Sequence, residues 1–196
     1  MNAIIGIFCG SRSGTDPLYE AAAYATGRRL AESGVAIVYG GGRAGLMGAV
    51  AAGALAHGGR VIGVIPGLLA GLELAHPGLS DLYVVDTMHE RKAKMAELAS
   101  GFVALPGGVG TLEEIFEQWT WGQLGIHRKP CAFLNINGYF DPLLTMIDKM
   151  VAEGFVQQRY ADSLVFSDRI DTVVDAFRTY VPPELKWITP SGVAEA

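Results

Sequence analysis

GFVALPGGVGTLEEIFEQW, residues 101–119, decides how this chain is read. Its first five residues form an apolar run of the length of a strand covered on both faces. A proline and three glycines at 106–110 then break the run. Beyond them, Leu112, Ile115, Phe116 and Trp119 fall on one side of a helix. Strand, glycine loop and helix in this order make half of a βαβ unit, with the loop at the carboxyl end of the strand.

The same order recurs along the chain. Apolar runs at 3–9, 35–39, 60–65, 82–86, 101–105, 130–135 and 163–167 read as strands. Helical patterns fill 17–33, 44–57, 88–99, 112–124, 140–153 and 169–180. Asp16-Pro17 and Asp141-Pro142 each place a capping acid before a proline at a helix start. The strands are nearly all apolar rather than alternating, so helices should cover both faces. The prediction is an α/β fold: a doubly wound parallel sheet of about seven strands with helices on both faces. Residues 1–180 are expected to form one domain, with 181–196 as a C-terminal extension at the surface or against a partner.

Composition narrows the partners. The 196 residues carry a formal net charge of -5 and a pI near 5.3, with no basic patch. A nucleic-acid partner is therefore not expected. No run is long enough to span a membrane, and the start lacks the pattern of a signal peptide. The expected location is cytoplasmic. Cys9 and Cys131 read as buried free thiols of a reducing compartment. His57, His76, His89 and His127 are scattered without metal-ligand spacing, so no metal is expected.

Three glycine-rich loops follow predicted strands: CGSRSG (9–14), GGGRAGLMG (40–48) and PGGVGT (106–111). In a parallel sheet they share the carboxyl edge, where backbone N–H groups and helix starts favour an anion. The second contains G-x-G-x-x-G through Gly40, Gly42 and Gly45. The next strand ends in Val64-Ile65-Pro66, with no acid to hold a dinucleotide ribose. No loop carries the G-K-[ST] of a P-loop. Gly45 and Gly48 read as turn or packing glycines. The expected ligand is a phosphorylated small molecule.

Two charged helix starts stand beside these loops. Thr111 and Glu114 have the spacing of a capping box, and so do Thr87 and Glu90. For Glu90 the cap suffices. For Glu114 two readings stand, a cap or a carboxylate that does chemistry. Arg91 shares a helical stripe with Met88, Met95 and Leu98, where an arginine needs a partner. Arg91 and Lys92 also lie in the first turns, where the helix dipole disfavours cations. They imply an anionic ligand or a structural salt bridge. Trp121 lies on the Glu114 side of its helix, where it could line the site or a subunit contact; ordinary packing is the favoured reading.

Met88-His89-Glu90-Arg91-Lys92 fits M-H-x-R-K, and Pro106 to Glu114 fits P-G-G-x-G-T-x-x-E. Together with GGGRAGLMG and TWGQLGIHRKP (120–130), they resemble the LOG ("Lonely guy") family, over roughly residues 3–180. The resemblance implies a Rossmann-like homodimer or larger homo-oligomer, without metal or cofactor. It implies hydrolysis of the N-glycosidic bond of N6-modified adenosine 5′-monophosphate, giving a free base and ribose 5-phosphate. Catalytic roles would fall on Arg91 and Glu114. Substrate contacts would fall on Glu73, Met88, Arg91, Lys92, Gly107, Gly108, Val109, Gly110, Thr111, Leu112, Glu113, Glu114 and Thr120. Related sequences are often labelled lysine decarboxylases, for which the sequence holds no pyridoxal-phosphate signal. Two other readings compete: a nucleosidase acting mainly on plain AMP, and a non-catalytic nucleotide or cofactor carrier of the same fold.

Overall fold

The structure, a computed structural model, describes residues 3–70 and 75–185. Seven strands build one sheet: β1 (Ile4–Phe8), β2 (Ala36–Tyr39), β3 (Val61–Pro66), β4 (Asp81–Val85), β5 (Gly101–Ala104), β6 (Cys131–Leu134) and β7 (Leu164–Ser167). Their order is β4-β3-β2-β1-β5-β6-β7, and every neighbouring pair is parallel. The helices are α1 (Pro17–Glu32), α2 (Gly45–Leu55), α3 (Gly67–Ala70), α4 (Met88–Leu98), α5 (Val109–Leu124), α6 (Asp141–Ala152), α7 (Gln158–Ala161) and α8 (Ile170–Arg178).

Apolar side chains on alternate strand positions feed two cores. Ile5, Ile7, Ile37 and Val103 pack with Leu30 of α1, Val50 of α2 and Val173 of α8. Phe8, Val38, Phe102 and Phe133 pack on the other face with Met95 of α4, Ile115 of α5 and Ile147 of α6. This is the doubly wound sheet that the apolar runs predict. Among the described residues no helix is long and apolar enough to cross a membrane. Cys9 and Cys131 are both buried and free.

Four details depart from the sequence reading. α5 begins at Val109 rather than at 112, because Val109, Gly110 and Thr111 take helical geometry behind Gly108. Glycines that look like loop are here the first turn. β4 is an edge strand whose apolar Leu82, Tyr83 and Val84 are exposed, so among the described residues nothing covers it fully. Asp141 does not cap α6. It is the first helical residue, and its carboxylate accepts from Asn135 Nδ2 at 2.7 Å. α3 and α7 are single turns, too short to show a period.

Asp16 does cap α1, accepting from Leu18 N at 2.9 Å, with Pro17 in the first turn. Thr87 likewise caps α4 through Glu90 N at 3.1 Å. The chain beyond α8 runs back over the body: Tyr160 Oη donates to Glu184 O at 3.1 Å, and Leu185 lies against Gly125. The rest of the expected extension lies outside the described residues.

Candidate active site

β1 sits at the centre of the sheet. From it the chain first builds outward through β2, β3 and β4, then returns to add β5, β6 and β7 on the other side. The crevice between the loops after β1 and β5 is therefore the topological switch point, where ligands of open parallel sheets bind. The two loops are stitched together: Gly10 N donates to Pro106 O at 3.0 Å. Met47 N, in the first turn of α2, donates to Gly10 O at 3.3 Å. Gly45 has φ +58°, and a Cβ there would lie 2.4 Å from Arg12 N, so only glycine fits this turn.

The crevice holds a cavity of about 580 Å³. Its walls come from the loop Cys9–Gly14, the start of α2, the start of α4, and the turn Pro106–Thr111. Gly108 caps α5 with no side-chain hydrogen bond, and the first helical amide bond to form is Leu112 N to Gly108 O. The N–H groups of Val109, Gly110 and Thr111 thus stand at a helix start, the place where an anion is favoured.

Arg91 and Glu114 meet on the cavity wall. Arg91 Nη1 lies 3.2 Å from Glu114 Oε1, with side chains only 11% and 10% exposed. Arg91 Nε donates to Val64 O at 3.2 Å, which anchors the guanidinium to β3. It packs against Gly40: a Cβ there would come within 1.8 Å of Nη2. Burial pushes the Glu114 carboxyl above its ordinary range, Arg91 pulls it back in part, and the nearby Glu113 raises it again. The thiol of Cys9, also on the wall, is held protonated by burial and by the Glu114 charge.

These positions remove the capping-box reading of Glu114. Thr111 is the third helical residue of α5, not its cap, so Glu114 has no cap N–H to reach back to. Its side chain turns to Arg91 instead.

Met88, Arg91, Gly107, Gly108, Val109, Gly110, Thr111, Glu113 and Glu114 all line the cavity. Lys92 does not. It is buried between α4 and α5, bonded to Glu113 and, at 3.0 Å, to Glu117. Leu112 and Thr120 also lie outside the lining; Leu112 packs toward the core and Thr120 is exposed. Glu73 falls outside the described residues. Two wall residues have no pattern to announce them, Tyr19 and Tyr139; a third, Arg12, belongs to the glycine loop CGSRSG but is not singled out within it. Tyr139 Oη donates to Gly107 O at 2.5 Å, and its ring meets Tyr19 edge-on at 5.7 Å. Single aromatics after a loop carry no periodic signal, so only the fold brings them here.

Fold and site together define a doubly wound α/β protein with an anion-binding crevice and a buried carboxylate–guanidinium pair. A family model described as "possible lysine decarboxylase" matches residues 47–177. A cytokinin riboside 5′-monophosphate phosphoribohydrolase of Rhodococcoides fascians is 46% identical over 176 residues, covering 89% of each chain. One of Arabidopsis thaliana is 48% identical over 179 residues, covering 91% of this chain and 82% of its own. The chain belongs to this phosphoribohydrolase family. Among solved structures, the molybdenum cofactor binding protein of Rippkaea orientalis matches with a TM-score of 0.70 at 18% identity, over 91% of this chain and 97% of that one. That likeness concerns the fold alone. The decarboxylase description finds no support in the site: among the described residues no lysine lines the cavity to hold pyridoxal phosphate.

Proposed function

We infer that this chain is an N-glycosyl hydrolase that cleaves adenosine 5′-monophosphates, preferring those with an N6 substituent, to a free base and ribose 5-phosphate. The observation that carries this reading is the buried Arg91–Glu114 pair on the wall of a cavity that also holds an uncapped helix start. A carrier needs the helix start but not the pair. The phosphoribohydrolase names of relatives at 46% and 48% identity weigh the same way.

In this mechanism the 5′-phosphate accepts hydrogen bonds from the N–H groups of Val109, Gly110 and Thr111. Glu114, one turn further along α5, faces the ribose rather than the phosphate. As the bond from C1′ to the base breaks, positive charge develops on the sugar ring, and the carboxylate stabilises it. Glu114 also takes a proton from the water that attacks C1′. The base leaves with the bonding electrons and takes up a proton from solvent, and Glu114 releases to solvent the proton it took from water, so one water is consumed per bond broken. Arg91 holds Glu114 in place and opposes the effect of burial, keeping more of the carboxylate ionised.

The working form is a homodimer. Two features support this: the apolar β4 surface, exposed among the described residues, and the position of Thr120, exposed and outside the cavity lining of its own chain. The family resemblance assigns Thr120 to the substrate, and a second copy is the simplest way to bring it there.

The test is incubation of purified protein with AMP and with isopentenyladenosine monophosphate, followed by chromatography for base and ribose 5-phosphate. Faster release from the isopentenyl compound is expected. Faster release from AMP would make the protein chiefly an AMP nucleosidase. Tight nucleotide binding without release would leave a carrier.

A further inference from the structure

Among the described residues, the charged groups on the cavity wall are Arg12, Arg91, Glu113 and Glu114. Three of them are already committed. Arg91 pairs with Glu114, and Glu113 pairs with Lys92 from behind the wall. Arg12 is the remaining one. Among the described residues it makes no ion pair and no side-chain hydrogen bond, and it is exposed at the mouth.

Its backbone is nonetheless tightly held. The Arg12 main chain rests on Gly45 at the start of α2. Two residues earlier, Gly10 N is bonded to Pro106 O, in the turn that leads into α5. Tyr139 fixes the next residue of that turn through Gly107 O. The root of the Arg12 side chain is thus fixed on the wall of the same cavity that Val109, Gly110 and Thr111 line.

The charge balance of the cavity needs such a group. A phosphate monoester carries roughly two negative charges near pH 7. A helix start offers about half a positive charge. The Arg91 and Lys92 charges are cancelled by carboxylates. We propose that Arg12 is the residue that makes this cavity specific for phosphorylated nucleosides, closing over the 5′-phosphate from the loop opposite α5. A guanidinium suits this role, since it offers two parallel N–H donors to phosphate oxygens. This rests on the reading that a nucleoside monophosphate occupies the cavity.

The test compares wild type with Arg12→Ser and Arg12→Lys. Binding of ribose 5-phosphate and of adenosine is followed by calorimetry, and AMP hydrolysis by kinetics. Arg12→Ser should weaken ribose 5-phosphate binding and raise KM for AMP, each on the order of tenfold. Adenosine affinity should stay the same, and Arg12→Lys should recover part of the loss. The dependence of ribose 5-phosphate affinity on salt should be steeper in wild type than in Arg12→Ser. Unchanged ribose 5-phosphate affinity, or an equal loss for adenosine, would overturn the assignment and return Arg12 to a solvated surface side chain. The two readings fail separately. Wild type that binds ribose 5-phosphate through Arg12 yet releases no base removes the hydrolase reading only. Turnover that is indifferent to Arg12 removes the phosphate assignment only.

Discussion

Arg91 Nη1 stands 3.2 Å from Glu114 Oε1, joining the first turn of α4 to the second turn of α5 beneath an open cavity. An ion pair so little exposed is poor evidence for stability, because desolvation offsets much of the attraction. Its position beside a helix start argues for chemistry.

Glu114→Gln is the most direct probe of that chemistry. Losing a general base typically lowers the rate by about 10²–10⁴. Glutamine keeps the shape and an oxygen for Arg91 to bond, so the fold should hold. The expected result is a kcat reduced by at least a hundredfold, with a melting temperature within about 5 °C of wild type. Unchanged turnover would remove Glu114 from catalysis.

Gly40→Ala tests how Arg91 is positioned. A Cβ at 40 would meet the guanidinium at 1.8 Å, so the arginine must leave its seat on the backbone. Overpacking of this kind costs about 1–3 kcal/mol. We expect a folded protein whose kcat falls sharply, because Arg91 no longer meets Glu114 squarely. Circular dichroism with kinetics separates this from unfolding; full activity would show that the contact is incidental.

The acid limb of kcat/KM should lie above the ordinary carboxylate range. In the proposed mechanism Glu114 works ionised, and burial raises its pKa more than Arg91 lowers it. Activity is thus lost, as pH falls, earlier than for a solvated glutamate. Arg91→Met removes the lowering influence, so the limb should move to still higher pH. The linkage to stability has the opposite sense: the raised carboxyl favours the folded state at low pH, and that advantage fades as pH rises through its folded pKa. A limb that stays put in Arg91→Met would contradict the pairing.

Lys92 should behave as a lock between helices rather than as a substrate contact. Its ammonium joins Glu113 and Glu117 of α5 to α4, and its side chain is buried. Lys92→Met leaves two carboxylates without their cation, one of them half exposed. A stability loss of roughly 1–3 kcal/mol is expected by denaturant titration. A large rise in KM without that loss would instead place Lys92 at the substrate.

β4 offers the oligomer test. Val84 is 60% exposed on an apolar edge strand, a surface that folded proteins normally cover. Light scattering after size exclusion should give a dimer for wild type, and Val84→Lys should shift it toward monomer. A wild-type monomer would end the dimer reading.

Much of this molecule is legible in its sequence, for local reasons. A strand covered on both faces must be apolar throughout, so the inner runs between Ala3 and Ser167 announce themselves, and β4 does so because its exposed edge is apolar too. Glycine loops after strands point to one edge of the sheet, because parallel strands leave no other place for them. Arg91 in an apolar stripe demands a partner, since its charge cannot be buried alone. What the sequence left open was decided by distances between segments far apart in the chain. Glu114 fits a capping box on spacing alone; only the true start of α5 at Val109 frees it for Arg91. Lys92 neighbours Arg91 in sequence, yet one step along a helix turns it by about 100° toward different carboxylates. Arg12, Tyr19 and Tyr139 carry no periodic signal, and reach the cavity because the switch point draws separate loops together. Short-range patterns fix which residues become strand, loop and helix. Which side chains share a charge is settled by three-dimensional proximity, and no spacing along a chain encodes that directly.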